Sequence, residues 1–404
     1  MVAAPDADTP SRVFELTRAI ELSCFALCVA QAVFVAGCYV KGYWLVALNG
    51  ALIPNDFVNV WAAGQQALAG HAAAAYDVHA HKLIEDAAIR LAFAGEYPWN
   101  YPPTFLFVAT AFALLPLVTA NIALLLLTFP LYLTTLRAII GERSALLLAC
   151  AFPGIVPNVM AGQNGFVTAA LIGGALLFLE RRPLLAGCLI GCLSFKPHFG
   201  LLFPLVLIAG GHWRAFAAAA VATLAFAAAS SLAFGMDTWV AFLHALPATS
   251  QSVLTDGSAE FGKMQSLYAL VRMLGGSESL GWTVHGMFAA GVMAAIVLLW
   301  RSRGPFDLKA AGVTAGALLV TPYLFMYDLA ALAVPMAFLI RMSLRSGDTA
   351  AELLRFLPAC ALLISFTALK MPVGFVAIVW IALLIARRLW VTGRQPSATK
   401  AAFA

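Results

Sequence analysis

From residue 20 onward the sequence is built of long apolar blocks separated by short polar interruptions. The blocks fall at about 20–40, 119–139, 144–160, 165–179, 184–195, 199–209, 215–234, 280–300, 308–322, 327–344, 353–368 and 373–389. Backbone inside a bilayer must satisfy its own hydrogen bonds, so each block is expected to be a helix. The pattern predicts an all-α, polytopic transmembrane bundle of about 12 spans, within 11–13, as a single integral membrane domain over 1–404. Several blocks fall short of the ~20 residues of a full crossing. Two short ones meet at Phe195-Lys196-Pro197. Short helices broken by proline are expected where backbone lines a cavity and not lipid.

Two long polar stretches, 41–102 and 235–276, interrupt the blocks. In the first, Phe57, Val60, Trp61 and Leu68 recur at helical spacing, as do Leu83, Ile84 and Leu91. Helices at about 57–68 and 78–93 are therefore expected, lying flat at the membrane interface. Loops this long usually carry function. The alanine-rich run 215–229 predicts a helix that packs closely through small residues.

Composition narrows the class. Hydrophobic residues make up 62% of the 404 and charged residues 11%, against about 45–50% and 25% in soluble domains. That excludes a soluble fold, a disordered chain and a soluble enzyme on one anchor. A net charge of +5 gives a nucleic-acid partner no support. All seven cysteines sit in apolar segments without a CxxC pair, which reads as packing, not as a disulfide framework. Basic residues concentrate on the cytoplasmic side of membrane proteins. With the N-terminus inside, 17 of the 24 Lys and Arg fall inside and 7 outside. This places tails 1–19 and 390–404 in the cytoplasm, loops 41–102 and 235–276 outside, and the protein in the plasma (inner) membrane. The apolar segment 103–116 would reverse that bias if it crossed. It is expected to be re-entrant or partly inserted, a thirteenth span being the alternative.

Polar clusters on the outer side are scarce enough to be informative. Asp56, in Pro54-Asn55-Asp56-Phe57, is either a helix cap or a partly desolvated general base. Tyr97-Pro98-Trp99-Asn100-Tyr101-Pro102-Pro103 is a stiff aromatic ledge, either part of the interfacial aromatic belt or a platform for a sugar or lipid headgroup. Gln163 and Asn164, in Gly162-Gln163-Asn164-Gly165, either form a tight turn or bind sugar hydroxyls. Lys196, followed by Pro197 and His198, is an intramembrane charge suited to a phosphate, or else snorkels to the interface. Asp328 ends Thr321-Pro322-Tyr323-Leu324-Phe325-Met326-Tyr327-Asp328 as a helix cap or a second carboxylate. His71, His79 and His81 include HxH spacing without a DxD pair, so no metal site and no cofactor are expected. No P-loop, GxGxxG or GxSxG motif occurs.

Taken in order, these pieces resemble glycosyltransferase family 87, the polyprenol-phosphate-mannose-dependent mannosyltransferase-like proteins of the GT-C fold. The matching pieces are Asp56 with Trp61 and Gly64, Tyr101-Pro102-Pro103, Gly162-Gln163-Asn164, Ala186-Gly187 with Lys196-Pro197, and Thr321-Pro322. The resemblance covers about residues 55–328. It implies a lipid-phosphate-sugar donor, inverting transfer and Asp56 as base. One departure is visible. Where one group of members carries a Trp/His-containing segment after the Ser/Thr-Pro turn, this chain has Tyr323, Tyr327 and Asp328.

The expected function is transfer of a hexose, mannose by this resemblance, from a polyprenyl-phosphate donor to a lipid or glycan acceptor among membrane lipids. Lys196 is expected to hold the phosphate. Gln163, Asn164, Tyr101, His198, Tyr323, Tyr327, Asp328 and Trp61 are the other expected substrate-binding residues. A transporter or flippase of lipid-linked sugars is the alternative. Such a fold usually shows inverted halves, and none are evident in the sequence.

Overall fold

The computed structural model describes residues 9–394, and among them every named element is helical. In chain order these are α1 (Thr9–Val40), α2 (Phe57–Leu68), α3 (Val78–Ile89), α4 (Leu106–Ala113), α5 (Leu117–Ile140), α6 (Ala145–Ala151), α7 (Ile155–Ala161), α8 (Gly165–Phe178), α9 (Pro183–Cys192) and α10 (Pro197–Gly200). There follow α11 (Leu202–Ala209), α12 (Trp213–Phe234), α13 (Met236–Ser250), α14 (Leu267–Met273), α15 (Glu278–Arg301), α16 (Phe306–Val320), α17 (Ala333–Ser346), α18 (Thr349–Leu369) and α19 (Val373–Arg394). The ends of the two tails, 1–8 and 395–404, lie outside the described residues. Helix α1 starts within the expected tail 1–19, and α19 runs into the expected tail 390–404.

Seven segments are long and apolar enough to cross a membrane: Arg18–Val40, Leu117–Ile140, Trp213–Phe234, Glu278–Arg301, Met326–Ser346, Thr349–Phe366 and Val373–Gly393. The other five of the twelve blocks are shorter or broken. Block 144–160 divides into α6 and α7 because Pro153 has no N–H to continue the ladder and forces Phe152 into an extended conformation. Lys196 is non-helical for the same reason, one residue ahead of Pro197. Helix α16 is buried on almost every side, as expected of a helix that is apolar all round. Protein, not lipid, surrounds it, so its length need not match the bilayer.

Small residues set the close packings. Helices α9 and α12 meet where a Cβ on Gly187 would clash with the Ala215 carbonyl oxygen, in keeping with the close packing expected of 215–229. Helix α2 differs from the expectation of an interfacial helix. It is buried from Phe57 to Gly64 apart from Trp61, with its backbone against α4. A Cβ on Gly64 would clash with the Ala109 carbonyl oxygen. Gly64→Ala is therefore expected to cost about 1–3 kcal/mol, read as a lower unfolding midpoint in detergent. Gly37→Ala, with nothing within 4 Å of its Cβ, should leave that midpoint nearly unchanged.

Helix α4 and the 3-10 turn before it, Pro103–Ala113, are too short to cross at 1.5 Å per residue. Their last carbonyls are taken by α2: Gln65 Nε2 donates to Ala113 O at 2.6 Å and Trp61 Nε1 to Leu115 O at 2.8 Å.

Helix α1 stands at the periphery, with Leu22, Phe25, Val33 and Phe34 exposed. Its polar anchor is Gln31, whose Nε2 donates to the Cys150 and Ala151 carbonyls at 3.3 and 3.2 Å. The break at Pro153 deprives those carbonyls of regular helical partners.

The ion pairs made by arginine collect at one end of the bundle. Arg341 and Arg345 pair with Asp307, and Arg388 with Asp348 and Glu352, each at 2.8 Å. All these arginines belong to the expected inner set. Helices α16, α17 and α19 run from that end toward Thr321, Asp328 and Gly374. About 13 helical residues from Asp328 to Arg341 span roughly 20 Å. The polar clusters described next therefore sit at the opposite end from these arginine pairs.

Candidate functional site

The first loop enters α2 through Asn55 and Asp56. Asn55 Oδ1 accepts from the Phe57 backbone N–H at 3.2 Å and from Asn121 Nδ2 at 3.2 Å. Asp56 makes no capping hydrogen bond. The local turn is thus held by Asn55, and the Asp56 carboxylate is released from the cap role.

Asp56 Oδ2 accepts from Gln163 Nε2 at 3.3 Å. Gln163 follows Gly162, which ends α7 at φ +65°, a left-handed conformation that favours glycine. The turn reading and the functional reading of 162–165 therefore both hold, divided between Gly162 and the next two side chains. Gln163 Oε1 accepts from the Tyr101 hydroxyl at 2.9 Å, and that hydroxyl oxygen accepts from Asn164 Nδ2 at 2.9 Å. Donation runs in one direction, Asn164 to Tyr101 to Gln163 to Asp56. Burial raises the Tyr101 phenol, which keeps it protonated as the donor this relay needs.

Asp56 retains some solvent access while packed deep among these groups. Burial pushes its carboxyl up to about 6, opposed by the Gln163 hydrogen bond and by the charges of Lys263 and Lys196. Its remaining exposure screens part of that effect. A carboxylate of this basicity that keeps some solvent access suits general-base work near neutral pH.

Beside this relay lies a buried ion pair. Lys196 Nζ donates to Asp328 Oδ1 at 2.6 Å, with both side chains almost fully buried. Asp328 Oδ2 accepts from the Phe325 backbone N–H at 3.3 Å. Asp328 thus serves as a local cap and as the counter-ion of Lys196. Lys196 has not snorkelled away. Its ammonium lies 5.0 Å from the Tyr327 ring centroid and 5.9 Å from that of Tyr101. Tyr101 therefore borders both the relay and the ion pair.

One residue escaped the sequence reading. Lys263 belongs to the second loop, which is stitched to 321–328 by backbone. The Met326 N–H donates to Lys263 O at 3.1 Å, and the Gln265 N–H to Leu324 O at 2.6 Å. The Lys263 charge acts on Asp56 more strongly than that of Lys196. Its ammonium is half-exposed and pairs with Glu260 at 2.9 Å. The available signal was that 235–276 contains only two basic residues, Lys263 and Arg272.

Other expected residues fall elsewhere. Trp61 is spent on the end of α4. Tyr323 packs against a cluster of the second loop that includes Met264 and Tyr268. The His198 ring lies 4.3 Å from that of Phe199, tilted by 54°, and its Nε2 is buried without a partner. The aromatic ledge is not an open platform. Trp99 and Tyr101 are buried, and Trp99, Phe105 and Phe195 form a stacked column with centroids 5.9 and 5.0 Å apart.

The family model of glycosyltransferase family 87 matches residues 99–322, more than half of the chain. The match contains Tyr101, Gln163, Asn164, Lys196 and Lys263; Asp328 lies shortly after its end, and Asp56 lies well before its start, in the first loop. No curated protein and no solved structure matches the chain.

Proposed function

Because the chain belongs to glycosyltransferase family 87, a membrane glycosyltransferase family, we propose that it moves a hexose from a polyprenyl-phosphate donor to a lipid or glycan acceptor. Mannose is the first candidate sugar. Transfer takes place at the extracytoplasmic face of the plasma membrane and inverts the anomeric centre. Asp56 is the general base. The observation that carries this reading is the one-way relay that ends on a raised, partly open carboxylate.

In the proposed step the acceptor hydroxyl oxygen attacks the anomeric carbon. Its proton passes to Asp56 as the bond from that carbon to the phosphate oxygen breaks. The electron pair leaves on the phosphate. One carboxylate suffices, because phosphate departs without strong acid help, unlike the leaving group of a glycosidase. Lys196 and Lys263 supply positive charge where phosphate charge develops. Asn164 Oδ1 is buried without a partner and is left to accept from a sugar hydroxyl. No metal or cofactor enters this scheme.

The deciding assay is purified protein with synthetic polyprenyl-phosphate mannose and a set of acceptors, with products read by mass spectrometry. Formation of a new glycosidic bond supports the proposal. Movement of intact lipid-linked sugar across vesicles with no new bond overturns it in favour of a flippase.

The pH profile follows from the Asp56 value. A base must be ionised to accept a proton, so kcat/KM is expected to fall about tenfold per pH unit below about 6. The folding contribution has the opposite sign. A raised carboxyl favours the fold when protonated, and that contribution is lost as pH rises through about 6. A flat activity profile from pH 5 to 7 would remove Asp56 as the base.

A further inference from the structure

A cavity of about 520 Å³ lies between the two long loops, and its lining does not include Asp56. The size falls within the ~300–1,000 Å³ typical of small-molecule sites. Polar groups border it from both loops: Asp77, Glu96 and Asn100 from the first, His244, Thr249 and Ser252 from the second. Thr249 Oγ1 donates to Asn100 Oδ1 at 3.0 Å, which ties the two walls together. Tyr76 and Trp99 supply its aromatic surface.

Helix α13 forms the opposite wall. It exposes Met236, Val240, Leu243 and Leu246 on one face and lines the cavity with Ala241, His244, Ala245 and Ala248. Small side chains leave the room, and the apolar face is free to rest on lipid.

The segment 96–101 links the cavity to the relay. Glu96, Pro98, Trp99 and Asn100 line the cavity. Tyr101 donates into the relay, and Asp56 acts electrostatically on Tyr97. The Tyr76 hydroxyl also donates to the Tyr101 carbonyl at 2.8 Å. One stretch of chain thus has the cavity on one side and the Asp56 cluster on the other.

We propose that this cavity is a remote acceptor subsite, which holds a neutral sugar unit of the acceptor one or more units away from the hydroxyl that reacts at Asp56. The assignment rests on the glycosyltransferase reading above. Two carboxylates and no Lys or Arg line the cavity, so a donor phosphate is repelled, as is a uronic acid or phosphorylated glycan. Hydroxyls and amides suit an uncharged polyol. Binding energy from a non-reacting part of a substrate is a recognised means of positioning the reacting part.

The test is equilibrium binding to the full-length protein in detergent without donor. The probes are neutral disaccharides of mannose, glucose and galactose, each beside a matched disaccharide ending in a uronic acid. At least one neutral disaccharide is expected to bind tenfold or more tightly than its uronate. Ser252→Trp and Ala245→Trp, which fill the cavity from different turns, should each weaken that binding tenfold or more. Glu96→Gln should narrow the preference over the uronate. The proposal is overturned if no neutral disaccharide binds, if the uronate binds as tightly, or if either filled variant keeps wild-type affinity. A wild-type protein that transfers sugar but binds no neutral disaccharide would sink the subsite alone. Intact binding with no transfer from any polyprenyl-phosphate sugar would sink the proposed function alone.

Discussion

Asp56→Asn is expected to lower kcat for glycosyl transfer by about 10²–10⁴-fold, the range of a lost general base, while the unfolding midpoint stays near that of wild type. The amide is nearly isosteric, and its Oδ1 can still accept from Gln163 Nε2, the bond seen at 3.3 Å in the wild type. What disappears is basicity. The capping role that would make Asp56 structural belongs to Asn55, so removing the charge should not unravel the start of α2. The acidic limb of the pH profile should vanish with the carboxylate. A variant that keeps wild-type turnover within a few-fold would place the base elsewhere. A variant that loses the limb and the rate together ties both to one group.

The second large effect concerns the buried ion pair. Lys196→Met leaves Asp328 buried without its counter-ion, and breaking such a pair costs about 3–5 kcal/mol. Asp328→Asn strands the ammonium in the same way. The double variant Lys196→Met with Asp328→Asn removes both charges, and most of the lost stability should return. Donor affinity should not return if Lys196 meets the donor phosphate. Thermal unfolding and donor titration across wild type, both single variants and the double variant separate the two roles. If donor affinity recovers along with stability, the pair is purely structural and the phosphate must be held elsewhere. Lys263 is then the first group to test, because it is half-exposed and acts on the same carboxylate.

Much of this was legible in the sequence, for reasons that differ from residue to residue. The seven long helices follow from long apolar runs, and the break at Pro197 follows from proline chemistry, whereas the break at Pro153 was hidden inside an apolar block that reads as one helix over 144–160. Asp56, Lys196 and Asp328 stood out because charge is so rare in the chain. The burial of α2 was not legible. Phe57, Val60 and Trp61 give the same periodic signal whether the apolar face meets lipid or protein, and Gly64 was the sole hint of a close backbone neighbour. Lys263 was missed because its placement depends on backbone bonds from Met326 and to Leu324. Such bonds leave no mark on the identity of any side chain. Tyr323 and Tyr327 look equivalent in the sequence. The turn from Thr321, whose Oγ1 accepts from the Tyr323 N–H at 3.1 Å, sends one to the second-loop cluster and the other over Lys196.

The anchor of α1 has a consequence for how the protein is made. Gln31 is bonded to a carbonyl 120 residues further along the chain. At about 5–20 residues per second of synthesis, that carbonyl emerges from the ribosome roughly 6–24 s after Gln31 does. For that interval the Gln31 amide has no native partner, in a helix whose surroundings are otherwise apolar. Helix α1 thus enters the membrane well before the broken helix that receives it, and its seat is created later by a proline.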